Sequence, residues 1–391
     1  MEEKMECDMI VRLADNVTSP LGFTTADNYR AVLDGHSELR VYDKHFGVRD
    51  PFCASLFDRN VVDEVFASLC KCPGNYTFFE KICIISASDA ISKSGVDVKS
   101  GRVLFVLSTT KGNVSLLYEK IPGIPENRVL LAEAAKSISQ FFGNPNKPVV
   151  VSNACISGVC AQIAASRFLK SGRYDHVVVI GADCQSKFIV TGFQSFKALS
   201  LEPCKPYDSN RKGLNLGEAA ATIVYGRKDE AEITSADWIL RSAAIRNDAN
   251  HISGPSRTGE GSFLALKEVI KDFDLADIAF VNAHGTSTMY NDEMESIAIY
   301  RAGLVDKPVT SLKGYYGHTM GAAGVLETIL SFHAVDNGEV IATRGYENCG
   351  VTYPLSVSAE NRTTDRKSFV KLMSGFGGCN AAVLFSRGGK R

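Results

Sequence analysis

Along the chain, short unbroken apolar runs alternate with longer stretches of small and mixed residues. Val103-Leu-Phe-Val-Leu-Ser108, Pro148-Val-Val-Val-Ser152, His176-Val-Val-Val-Ile-Gly181 and Ala220-Ala-Thr-Ile-Val-Tyr225 read as strands. Ile278-Ala-Phe-Val-Asn-Ala283, Ser368-Phe-Val-Lys-Leu-Met373 and Ala381-Ala-Val-Leu-Phe385 do the same later on. Continuous rather than alternating runs predict strands covered on both faces. Gly158 to Ser171 and Glu293 to Ala302 read as helices between them. The expected class is α/β, with sheets sandwiched by helices.

Two segments share one plan: a strand, a small-residue turn bearing a reactive side chain, then an Ala/Gly-rich helix. One is Val149 to Ser171, around Cys155; the other runs from Val309 through His318 and Gly321-Ala-Ala-Gly324. A charged turn at Gly226-Arg-Lys-Asp-Glu230 separates them, which predicts halves spanning 1–228 and 229–391. A length of 391 residues suits two units of that size. A net charge of -1 gives no electrostatic reason to expect nucleic acid. No run approaches the roughly 18 apolar residues of a membrane span. The acidic N-terminus does not read as a secretory signal, so a cytoplasmic location is expected. The 11 cysteines are scattered and odd in number, which argues against a disulfide framework. Cys70, Cys72 and Cys83 lack the partners that complete a zinc spacing, and no metal is expected.

Chemistry concentrates in three turns. In Ser152-Asn-Ala-Cys155-Ile-Ser-Gly158, the cysteine sits where a strand turns sharply into a helix. Unpaired N–H groups and the helix dipole there favour a thiolate, and can hold an oxyanion. Ser157 and Gly158 are read as keeping the approach to the sulfur open. Most lone cysteines are simply small buried hydrophobes, and Cys160 reads as one. His284, in Asn282-Ala-His-Gly-Thr-Ser-Thr288, and His318, in Lys313-Gly-Tyr-Tyr-Gly-His318, each lie beside glycine. Those glycines are expected to let a substrate come close to the imidazoles. A single histidine in such a turn is more often structural. Cys155, His284, His318 and Lys313 together, at the ends of sheet strands, predict one crevice. His36, His45, His176 and His333 read as structural or exposed, and His251 as ambiguous.

Taken in order, these segments resemble the β-ketoacyl-[acyl-carrier-protein] synthases, the condensing enzymes of fatty acid and polyketide synthesis. The likeness spans almost the whole chain. It begins at Thr18-Ser-Pro-Leu-Gly22 and includes Asn153-Ala-Cys155 and Cys204-Lys-Pro-Tyr-Asp208. It continues through Ala283-His-Gly-Thr-Ser-Thr288 and Gly317-His318 to Gly375-Phe-Gly-Gly-Cys-Asn380. The resemblance is to the elongating branch with a Cys-His-His site. It implies the thiolase fold: two duplicated βαβαβαββ-type halves in a five-layer α-β-α-β-α arrangement.

It further implies a ping-pong reaction in which Cys155 takes an acyl group from a carrier protein. His284 and His318 would then promote decarboxylation of malonyl-carrier. Lys313 would tune the local charge, partnered by Glu327. The backbone N–H groups of Cys155 and Phe376 would form the oxyanion hole. Phe376 would gate the acyl pocket, with Gly377 and Gly378 letting its loop move. Thr286 and Thr288 would contact the phosphopantetheine arm, while Asp292 and Glu295 would cap a helix and support the site. Lys205 would help dock the acidic carrier protein. No cofactor would be bound by the enzyme itself, since the arm carries the substrates. The family implies a homodimer; the alternative is a heterodimer of ketosynthase and chain length factor, with this chain as its active or its inactive half. A thiolase acting on coenzyme A thioesters is the rival reading, with Cys379 as its second cysteine. Bulk at Ile156, beside the nucleophile, points to an altered acyl preference.

Overall fold

The computed structural model describes residues 9–251 and 254–389. Ten strands form its hydrogen-bonded sheet. They are β1 (Met9–Thr18), β2 (Val103–Ser108), β3 (Val149–Val151), β4 (His176–Asp183) and β5 (Ala219–Lys228), then β6 (Trp238–Asn247), β7 (Ile278–Asn282), β8 (Val309–Thr310), β9 (Ser368–Gly375) and β10 (Cys379–Arg387). Their order across the sheet is β8-β7-β9-β10-β6-β1-β5-β4-β2-β3. From its centre outwards, each half follows the same path. The first runs β1-β5-β4-β2-β3 and the second β6-β10-β9-β7-β8. Pair directions match as well: two antiparallel steps, then two parallel ones. Only Val11↔Ile239 and Arg12↔Trp238 join the halves through the sheet.

Six helices matter for the site: α1 (Phe78–Ser94), α2 (Ser157–Lys170), α3 (Lys187–Ser195), α4 (Glu260–Ile270), α5 (Met289–Arg301) and α6 (Ala323–Asp336). Helix α1 packs on β1, β5 and β4, and α4 on β6, β10 and β9, with α5 against α4. Helices α2 and α6 pack on each other and on strands of both halves. That gives five layers, helix–sheet–helix–sheet–helix. Helix α6 is buried nearly all round, from Ala323 to Val335, as a central layer must be. Its crossing with α2 is close because both carry glycine there. A Cβ on Gly324 would lie 2.6 Å from the Val159 nitrogen, and one on Gly158 2.9 Å from the Gly324 Cα. Gly158 therefore serves this helix contact rather than access to the sulfur.

Besides the two-residue β8, two strands are absent from the apolar runs, β1 and β6, which meet at the centre. Strand β1 carries polar residues whose partners come from elsewhere in the fold. His333 Nε2 lies 3.1 Å from Asp15 Oδ1, and Arg12 pairs with Asp336 at 3.7 Å. Strand β6 is interrupted by Arg241, Ser242 and Arg246. Among the described residues no helix is long and apolar enough to cross a membrane. The cysteines among them are all free.

Candidate active site

Each reactive side chain follows or precedes a residue forced into left-handed backbone. Strand β3 ends at Val151, and Ala154 then takes φ 45° immediately before Cys155. Ser287, three residues after His284, has φ 65°, and Met320, two after His318, has φ 49°. Such conformations are costly for residues with a Cβ and persist only where surrounding bonds fix them. The bonds are visible at the first turn. Ser157 Oγ accepts from the Asn153 N–H at 2.7 Å and donates to the Ala154 carbonyl at 2.6 Å.

The histidine turns are held from outside. Glu295 on α5 accepts the His284 and Gly285 N–H groups, both at 2.7 Å. Asp292 accepts the Thr286 N–H at 2.9 Å and the Tyr207 N–H at 2.8 Å. These two carboxylates support the turn rather than cap the helix, whose cap residue Thr288 makes no side-chain cap bond. The His318 N–H donates to the Asn215 carbonyl at 2.7 Å. A Cβ on Gly317 would meet the Leu216 carbonyl oxygen at 2.3 Å, and one on Gly285 the Ser311 Cβ at 2.6 Å. The glycines beside the histidines thus allow backbone to pack on backbone, not substrate on imidazole.

The result is a single cluster. Ligand-type atoms of Cys155, His284 and His318 all lie within 4.8 Å of one another. The two rings stand 5.0 Å apart between centroids, at 79°. The Met320 N–H donates to His318 Nδ1 at 3.3 Å, which assigns the ring proton to Nε2. That Nε2 and the Nδ1 of His284 are buried without a hydrogen-bond partner. Burial and the Lys313 ammonium push both histidines well below their usual pKa, so each is neutral at pH 7. The same cations oppose a metal ion in this thiol–imidazole set.

Burial pushes Cys155 up to about 12. This reverses the thiolate expected from the helix terminus: desolvation outweighs the Lys313 charge and the Phe376 N–H, which both act the other way. The Phe376 N–H still reaches the sulfur because residue 375 is glycine. A Cβ there would lie 3.1 Å from the Cys155 nitrogen and 2.9 Å from Cys379 Sγ. Phe376 sits at the tip of the β9–β10 hairpin, its ring tilted against Phe193 at 5.9 Å and edge-on to Phe196 at 5.3 Å. Gly377 and Gly378 both take positive φ in that tip. Bonds from Asn247 to the Gly377 carbonyl, 3.0 Å, and from Asp248 to the Gly378 carbonyl, 2.7 Å, tether the loop expected to be loose.

A cavity of about 420 Å³ leads to the three side chains, lined also by Thr286, Thr288, Met289 and Tyr290. A second, mainly apolar cavity of about 690 Å³ lies beyond Phe376. Cys155 and Phe376 border both. Exposed Lys197 and Lys212 and the ambiguous His251 line the first cavity. Lys205 does not: its N–H bonds Ser287 Oγ at 2.8 Å and its ammonium faces Glu347 at 3.9 Å.

Behind the histidines lies a buried ion cluster. Lys313 Nζ bonds Glu327 Oε1, and Lys371 Nζ bonds Glu327 Oε2 at 2.5 Å. The two ammoniums hold the Glu327 carboxyl below its usual range despite burial. Lys371 escaped the sequence reading as a strand residue, although a lone charge in a run covered on both faces is itself a signal. Asp183 was missed too. It accepts from the Thr109 hydroxyl at 2.8 Å and the Gly321 N–H at 2.7 Å, tying β4 to the His318 turn.

Residues 78–231 match the family "Beta-ketoacyl synthase, N-terminal domain" and residues 238–347 the "Beta-ketoacyl synthase, C-terminal domain". A putative mitochondrial 3-oxoacyl-[acyl-carrier-protein] synthase of Schizosaccharomyces pombe is 30% identical over 67% of this chain and 66% of its own length. The 3-oxoacyl-[acyl-carrier-protein] synthase 2 of Vibrio cholerae is 28% identical over 94% of this chain and 96% of its own. The solved ketosynthase in complex with its chain length factor from Xenorhabdus doucetiae shares the fold, at TM-score 0.83 and 20% identity. That likeness covers 99% of this chain and 100% of that one. With the duplicated five-layer architecture and the Cys–His–His cluster, the matches place this chain in the beta-ketoacyl synthase family, the elongating condensing enzymes of the thiolase superfamily.

Proposed function

We propose that the chain is a 3-oxoacyl-[acyl-carrier-protein] synthase performing a decarboxylative Claisen condensation. The carrying observation is that one sulfur and two neutral imidazoles meet at the junction of two cavities. An acyl thioester on a carrier's phosphopantetheine arm enters the first cavity past Thr286 and Thr288, whose hydroxyls bond each other at 2.9 Å. Cys155 gives its proton to a neutral imidazole of the cluster as it attacks the carbonyl, and the imidazole returns that proton to the departing carrier thiolate, which leaves as the thiol. The Cys155 and Phe376 N–H groups hold the oxyanion. The acyl chain then occupies the apolar cavity beyond Phe376. Malonyl-carrier follows, and loss of CO2 leaves an enolate. His318 Nε2–H and His284 donate to the enolate oxygen. Its carbon attacks the acyl-Cys155 carbonyl, the sulfur leaves as a thiolate that takes up a proton from solvent, and a 3-oxoacyl thioester two carbons longer departs. Every electron shift is accommodated by the thioester oxygen, so these steps call on no cofactor resident in the enzyme.

The thiolase alternative needs Cys379 as a second reactive thiol. Cys379 Sγ instead donates to the Phe376 carbonyl at 3.3 Å, and unlike Cys155 it lines neither cavity. A partner subunit is part of the proposal. Tyr118 and Phe188 on the apolar cavity are 46% and 51% exposed, a rim that a second copy or a related synthase subunit would cover. Intact-protein mass spectrometry after incubation with acyl-carrier proteins is the direct test. An acyl adduct lost in Cys155→Ala is expected; a folded protein that takes no acyl group from any donor overturns the reading. Native mass spectrometry of the chain alone and with candidate subunits distinguishes homodimer from heterodimer.

A further inference from the structure

Lys371 lies in the interior of β9, in parallel register with Asn282 of β7, and its side chain is 0% exposed. Its ammonium is surrounded by four oxygens. They are Asn282 Oδ1 at 2.8 Å, the Asn282 and Ala283 carbonyls at 3.3 and 3.2 Å, and Glu327 Oε2 at 2.5 Å. The strand face it shares with Phe369 and Met373 is otherwise part of an apolar core. An ammonium buried this deeply must find its hydration shell in the protein. Here every replacement oxygen belongs either to the two residues before His284 or to Glu327. Glu327 already has a counter-ion in Lys313. The second lysine therefore leaves the trio one positive charge in excess, directly behind the imidazoles.

We propose that Lys371 is a positioning residue for decarboxylation, anchoring the turn that carries His284 and supplying the surplus positive charge against which the enolate forms. The inference rests on the condensing-enzyme reading above. The Lys371 charge is among those that keep His284 and His318 neutral and able to donate a hydrogen bond. The charged and titratable groups around it are Glu327 from α6, Lys313 from the turn before α6, Glu295 from α5, and the two histidines. Burial brings Lys371 itself down to about 8. Once it loses its proton, Nζ presents a lone pair to four oxygens and its hold on the turn weakens.

The test separates the two partial reactions. Acylation of Cys155 is followed by intact mass, and malonyl-carrier decarboxylation by CO2 release. In Lys371→Gln, acylation should stay within about twofold of wild type while decarboxylation falls about tenfold or more at unchanged KM. The wild-type decarboxylation rate should fall as pH rises through about 8, and that limb should vanish in the variant. Lys371→Met, which fills similar volume without charge, replaces the glutamine variant if that one does not fold. Equal loss of both partial reactions, or undiminished decarboxylation in a folded variant, overturns the proposal. A wild-type protein that decarboxylates no malonyl thioester sinks the condensing-enzyme reading itself, and this inference with it.

Discussion

At position 155 two opposing effects act on one sulfur. The start of α2 and the Phe376 N–H favour charge, and burial disfavours it. Burial wins, and the thiol is pushed up to about 12. The sign gives a prediction. Alkylation of Cys155 by iodoacetamide should keep accelerating from pH 7 to pH 10; a plateau near neutrality would contradict the account. The thiol is then activated only when a thioester arrives and its proton is taken in the site. The histidines carry the other half of the chemistry. His318→Ala and His284→Ala should each lower malonyl decarboxylation by about a hundredfold or more, the scale of one lost donor to a developing oxyanion. Acylation kinetics on the same variants would show which imidazole also receives the Cys155 proton.

Among elements, the decisive contact is the crossing of α2 and α6. It brings the nucleophile's helix and the helix after the His318 turn to backbone contact, which fixes Cys155 against His318. Only glycine fits at Gly324, where a Cβ would press on the Val159 nitrogen at 2.6 Å. Gly324→Ala should therefore destabilise the fold by about 2–4 kcal/mol in urea denaturation. Neighbouring Ala323→Gly removes one buried methyl and some helix propensity without a backbone clash, and should cost about 1 kcal/mol. Similar losses for both would remove the crossing from the explanation. The hairpin of β9 and β10 acts in the same way at the other wall, since Gly375 lets Phe376 reach the sulfur.

For the whole molecule, the active centre belongs to neither half. Cys155 comes from the first, and His284, Lys313, His318 and Lys371 from the second. Access is through the cavity lined by Lys197 and Lys212. If an acidic carrier docks there, the double variant Lys197→Glu and Lys212→Glu should raise KM for acyl-carrier about tenfold. Its kcat should hardly change, and its salt dependence should weaken. Steady-state kinetics at two ionic strengths checks this. Lys205, expected at the entrance from the motif, is occupied with Ser287 and Glu347, and Lys205→Glu should have the smaller effect.

Unbroken apolar runs in the sequence were enough for seven of the sheet strands, because a strand covered on both faces must be apolar throughout. Small-residue turns likewise marked Cys155, His284 and His318. The sequence could not disclose β1 and β6, whose polar side chains are satisfied by groups distant along the chain. Nor could it disclose the state of the thiol, the burial of Lys371, or the true use of Gly158, Gly285 and Gly317. Those depend on solvent exclusion and on which backbones come within contact. Both are properties of packing between segments that are not neighbours along the chain, as with Gly158 and Gly324.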